Sequence, residues 1–156
     1  MLYQMALDKY HLNLAGEYRV ASEILKQGVF ATITYGNKKG ADIYAIGPNR
    51  QTAVVEVKAS NSDRFVTGFY QKYEEETKEH PDFWVLYSFK SNRDERFYVL
   101  SHAELAKIQG ERNYPGKSMT WAEHALAVQK GVDNVLAKDL TAHESAWEKI
   151  TRWCSS

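Results

Sequence analysis

Residues 52–59 read TAVVEVKA, a run of small and β-branched apolar side chains broken by Glu56 and Lys58. Such a run, bounded by the turn-forming stretches GPNRQ and SNSD, is expected to be a strand. Side chains alternate along a strand, so Glu56 and Lys58 share one face, with their Cα atoms about 6.6 Å apart. Ala53, Val55 and Val57 share the other. The chain must therefore build a sheet that is apolar on one side of this strand and carries a charged point on the other.

Two further segments rich in β-branched and aromatic residues, 29–35 and 41–46, precede the strand, separated by GNKKG and GPNRQ. The three are expected to form an antiparallel meander. A turn centred on Asn49 places Asp42 opposite Glu56. Any register of that parity puts Asp42, Glu56 and Lys58 on one face and Ile43, Ala45, Ala53, Val55 and Val57 on the other. Two carboxylates roughly 5 Å apart repel by about 3 kcal/mol at an effective dielectric near 20. Lys58 offsets part of this, and a divalent cation held by hard oxygen ligands would offset it more completely.

Helical spacing of Leu14, Val20, Ala21, Ile24 and Leu25, followed by Gly28, predicts a first helix over 13–27. Seven residues turn a helix to within about 20° of where it began, so Glu17 points nearly where Ile24 points, inward. Glu23 falls on the side expected to be wet. After residues 61–63 the stripe Phe65, Val66, Phe69, Tyr70 and Tyr73 predicts a second helix that stops before Pro81. DFWVLYSF, residues 82–89, is apolar on both parities and is expected to be a strand covered on both faces, with another strand over 95–100. Three capping-box patterns follow: Ser101 with Glu104, Thr120 with Glu123, and Thr141 with Glu144. The last is expected to open a helix presenting Trp147, Ile150 and Trp153 to the body of the fold.

Composition narrows the function. The 156 residues suit one domain, 1–156, and 20 basic against 20 acidic side chains exclude a chain that grips polyanions by net charge alone. A polyanion would be met by a local patch, or by a homodimer that assembles a longer basic surface. One cysteine, Cys154, forms no internal disulfide and fits a reducing, cytoplasmic setting. No apolar run approaches about 18 residues, so no membrane role is expected. The five histidines lack the close spacing of a zinc site.

Glu17 on a first helix, then GADI with Asp42, then VEVK with Glu56 and Lys58 on the next strand, resembles the PD-(D/E)XK nuclease superfamily. The resemblance implies an α/β, restriction-endonuclease-like αβββαβ core at about 13–100, with a mixed central sheet flanked by helices and a helical C-terminal extension over 101–156. It implies that Asp42, Glu56 and the Val57 carbonyl ligate Mg²⁺ or Mn²⁺, that Glu17 is an auxiliary ligand, and that Lys58 orients the attacking water and stabilises charge on the phosphate. Nucleic acid is then the partner, DNA ahead of RNA. Gln71 stands for the glutamine often found on the helix after the lysine strand. Lys38 and Lys39, just before Asp42, are candidates for phosphate contact, against the plainer reading of an exposed charged turn. Alanine, at position 41, replaces the proline of the motif.

Plainer readings of the acids stand beside this one. Glu56 and Lys58 would also suit an exposed cross-strand ion pair, Glu17 a first-turn acid favoured by the helix dipole, and the whole fold a module that binds nucleic acid without cutting it.

Overall fold

A computed structural model describes residues 7–34, 41–73, 79–117, 122–123 and 133–156. Helix α1, Lys9–Lys26, starts earlier than its apolar stripe because Asp8 caps it, accepting from the His11 N–H at 2.8 Å. It ends at Gln27, and Gly28 follows at φ +85°, the left-handed conformation that glycine adopts most easily. The meander comes next: β1 (Phe30–Ile33), β2 (Ile43–Ile46) and β3 (Thr52–Ser60), antiparallel throughout. Ile43 pairs with Val55 and Ala45 with Ala53, the register that sets Asp42 against Glu56.

A crossover then returns the chain to the same sheet. It contains a short strand β4 (Arg64–Val66) and a short helix α2 (Phe69–Lys72). Strand β5 (Phe83–Ser91) lies parallel to β3, and β6 (Asp94–Ser101) antiparallel to β5, giving the five-stranded order β1-β2-β3-β5-β6. Helix α3 (His102–Asn113) opens with both hydrogen bonds of the Ser101–Glu104 capping box. Strand β7 (Asn134–Leu136) pairs with β4, and helix α4 (Glu148–Cys154) closes the chain. The architecture is thus a mixed α/β fold, a five-stranded mixed sheet flanked by helices, as the sequence leads one to expect.

Each face of the sheet carries its own core. On one, Val20, Ala21 and Ile24 of α1 and Ile150 of α4 cover Ile43, Val55, Val85 and Val99. On the other, Phe69, Tyr70, Tyr73 and Leu105 cover Trp84, Leu86 and Leu100. Strand β5 is buried from Phe83 through Ser88, the double coverage that its unbroken apolar run predicts.

Two expectations of helix fail for local reasons. The stripe over Phe65–Tyr73 is not one helix: Gly68, at φ +64°, breaks it, Thr67 Oγ1 accepts from the Phe69 N–H, and Phe65 pairs in β4 against Val135. Four of the five stripe residues are buried all the same, and Val66 is exposed. At Thr141–His143 there is only a 3₁₀ turn, because Glu144 bridges to Tyr98 and Ser145 donates to the Phe97 carbonyl at 2.7 Å, with φ +52°. The chain pairs with β6 before α4 can begin. Trp147 and Ile150 are buried as expected, while Trp153 lies nearer the surface and donates its ring N–H to the Thr52 carbonyl. Glu23 is not wet: its side chain is drawn in between Arg19 and Lys26. The Thr120–Glu123 box falls partly outside the described residues. No helix among the described residues is long and apolar enough to cross a membrane.

Candidate active site

Pairing between β2 and β3 stops at Ile43 and Val55, and a carboxylate takes over where the ladder ends. The Asp42 N–H donates to the Val55 carbonyl at 2.9 Å, and Asp42 Oδ2 accepts from the Val57 N–H at 2.8 Å. The side chain thus satisfies a backbone donor that β2 no longer reaches. Glu56 lies between these two residues of β3, on the opposite face from Val55 and Val57.

Glu56 is 2% exposed, which rules out a surface ion pair. Its Oε1 receives the Lys72 ammonium at 2.6 Å and the Lys58 ammonium at 3.3 Å, and its Oε2 accepts from the Tyr73 hydroxyl at 3.0 Å. A buried carboxylate needs such company, because charge removed from water without partners costs several kcal/mol. Burial and the adjoining Glu56 push the Tyr73 hydroxyl far up, so it remains a donor. Burial, with Lys72 alongside, holds Lys58 below the usual ammonium range. Burial works against Lys72 as well, but its contacts with Glu56 prevail and hold it above that range.

Asp42 is raised above the ordinary carboxyl range by burial and by the charge of Glu56, against the opposing Val57 hydrogen bond. Glu17, half-buried on α1, is raised by burial and then by Asp42, with Lys58 opposing. Since α1 begins at Lys9, Glu17 is no first-turn acid. Its placement depends on the close seat of α1: a Cβ on Gly16 would lie 3.1 Å from both Ala59 Cβ and Tyr87 Cδ1.

Lys58 and Glu56 are therefore in contact, Asp42 is held on the Val57 N–H within electrostatic range of both, and Glu17 lies at the margin of the same cluster. Gln71 is exposed on α2. Lys38 and Lys39 lie outside the described residues. Sequence reasoning missed Lys72 and read Tyr73 only as core. The one signal for both was the crossover itself, which must lay the segment after β3 across a face of the sheet.

Among the described residues no three His, Cys, Asp or Glu side chains form a group that could hold a metal ion. The donor chemistry nevertheless fits Mg²⁺, which keeps several waters and is commonly bound by one or two carboxylates together with substrate phosphates. Asp42 and Glu56, joined by the Val57 carbonyl, would be that hard-oxygen set. A groove of about 630 Å³ lined by Ile108, Arg112, Pro115 and Lys138 shares no residue with this cluster.

No family model matches the chain, and no curated protein matches it. Among solved structures it is similar to a bacterial homing endonuclease, with a TM-score of 0.57 at 14% identity, covering 93% of each chain. At that identity the likeness establishes the fold, and it runs over nearly the whole length of both proteins.

Proposed function

We propose that this chain is a divalent-metal-dependent nuclease of the PD-(D/E)XK type that hydrolyses phosphodiester bonds in nucleic acid, DNA ahead of RNA. The observation that carries the reading is the buried Glu56 set beside Asp42 at the end of the β2–β3 ladder, with Lys58 on the same face. The shared fold with a homing endonuclease supports it.

On this reading Asp42 and Glu56 hold Mg²⁺ or Mn²⁺, with the Val57 carbonyl as a further ligand and Glu17 as an auxiliary acid. The ion, when bound, lowers the pKa of a coordinated water and neutralises charge on the scissile phosphate. Lys58 supplies a fixed positive charge beside the reacting phosphate and orients the water. The Tyr73 hydroxyl keeps Glu56 from rotating, and the Val57 N–H does the same for Asp42. Lys38, Lys39 and Gln71 are proposed contacts to the nucleic-acid backbone.

One observation favours a second reading, a module that binds nucleic acid without cutting it: Glu56 already has two ammonium groups. Cleavage assays on DNA and RNA substrates in Mg²⁺ and Mn²⁺, comparing the wild type with Glu56→Ala and Lys58→Ala, separate the two. Metal-dependent cleavage lost in both variants is expected. Cleavage undiminished in both would remove the site assignment, and binding without any cleavage by the wild type would favour the second reading.

A further inference from the structure

We propose that Lys72 is a tethered cation that gates Glu56: its ammonium occupies the carboxylate oxygen an ion would need and turns to a substrate phosphate when Glu56 takes an ion. The inference rests on the metal-dependent reading above and assigns a role to a residue outside the motif.

The Glu56 carboxylate is engaged on both oxygens. Tyr73 holds Oε2, which leaves Oε1 as the oxygen open to exchange, and there Lys72 at 2.6 Å sits closer than Lys58 at 3.3 Å. An ammonium and a divalent ion cannot share that oxygen at contact distance, since like charges a few ångströms apart repel strongly in a partly buried site. Lys72 is the group free to leave. It is the last residue of the four-residue helix α2, and its side chain is 31% exposed. Its anchors are its neighbours Phe69, Tyr70 and Tyr73, all buried against Trp84 and Leu86, so the backbone stays while a flexible four-carbon stem swings. Lys58, on β3, stands farther from that oxygen and need not leave it.

Charge balance gives the swing a destination. Asp42 and Glu56 are matched by Lys58 and Lys72, so a bound divalent ion brings two uncompensated positive charges to a site where, among the described residues, Glu17 at its margin and Asp133 on the far side of the Lys72 stem remain to answer them, together with incoming phosphates. Lys72 released beside a phosphate helps to bind it. Ion and nucleic acid then favour each other's binding, and the coupling is reciprocal.

Mn²⁺ calorimetry without nucleic acid tests the gate. Lys72→Met is expected to bind Mn²⁺ about tenfold more tightly than wild type, and Lys72→Arg, which keeps the cation, to stay near wild type. With Mn²⁺ present, Lys72→Met is expected to bind a phosphorothioate-protected DNA duplex several-fold more weakly than wild type. Unchanged or weaker Mn²⁺ binding by Lys72→Met, with a wild-type circular dichroism spectrum, overturns the proposal. So does unchanged duplex affinity. If Glu56→Gln abolishes Mn²⁺ binding while Lys72→Met leaves it unaltered, only the Lys72 role fails. If wild type binds no Mn²⁺, or Glu56→Gln binds it normally, the metal site fails too.

Discussion

Replacing Gly16 by alanine is expected to destabilise the protein, against the usual sign for glycine inside a helix. In an exposed helix the change gains about 1 kcal/mol of helix propensity. Here the new methyl would lie 3.1 Å from Ala59 Cβ, 3.1 Å from Tyr87 Cδ1 and 3.6 Å from Val57 Cγ1, where carbon atoms are most comfortable at about 3.5–4.0 Å. Neither near neighbour can retreat. Ala59 is paired with Tyr87 across β3 and β5. The Tyr87 ring is tied through its hydroxyl to Glu95 at 2.6 Å, and Glu95 is gripped by Arg19 of α1 itself. The helix must lift, and overpacking of this kind costs about 1–3 kcal/mol. Subtracting the propensity gain leaves a net loss of about 1 kcal/mol, or a urea midpoint lower by about 0.5 M at unchanged slope. Ala59→Gly removes one of the two close atoms, so the double variant should recover about 0.5 kcal/mol or more of coupling. A midpoint that rises in Gly16→Ala, or no coupling with Ala59→Gly, would refute the close seat of α1 and with it the placement of Glu17.

Two further outcomes are expected. Burial pushes Asp133 up to about 6, against the weaker opposing pull of the Tyr70 N–H, the Thr67 hydroxyl and the Lys72 ammonium. The folded state therefore binds this proton more tightly than the unfolded state, and stability falls as pH rises from about 4 to about 6. The full difference corresponds to about 3 kcal/mol. Solvent screening brings the gain expected for Asp133→Asn above pH 6 down to about 1 kcal/mol, with a flatter stability profile below it, measured by urea unfolding across pH. Tyr73→Phe leaves a buried carboxylate oxygen short of a donor and should cost about 1–3 kcal/mol at neutral pH in the same assay. A variant as stable as wild type would mean that the hydroxyl does not hold Glu56.

What could be read from the sequence follows from the range of the forces involved. Register between β2 and β3 was legible because a tight turn and a strict alternation leave few choices, and a slip by one residue would have turned Asp42 onto the apolar face beside Val55 and Ile43 onto the face of Glu56. The segment from Phe65 to Tyr73 was not. Burial of Phe65, Phe69, Tyr70 and Tyr73 satisfies a helical stripe, but the same burial arises from a strand, a left-handed glycine and a single helical turn in succession. The Thr141–Glu144 pattern misled for a related reason: a capping box is worth about 1 kcal/mol, and pairing of Glu144 with Tyr98 outweighs it. Lys72 carried no pattern at all, since its meaning depends on where a parallel crossover lays the chain.

The position of Glu56 argues for use over stability. A buried carboxylate with two lysines is weak support for a fold, because apolar side chains of similar volume often stabilise a protein as well or better. Strand β3 already has an apolar face in Ala53, Val55 and Val57, and its other face meets Trp84 and Leu86 of β5, so a leucine at position 56 would be at home. What leucine could not do is answer Asp42. That residue is kept at the end of β2 by the Val57 N–H, and its charge is made costly by its own burial and by the Glu56 beside it. An acid whose charge is made costly by a buried acid beside it, with one lysine on a strand and another on a short helix at hand, forms an arrangement that a cation relieves. On the proposed reading that cation is the metal ion, and the Lys72 ammonium is its stand-in.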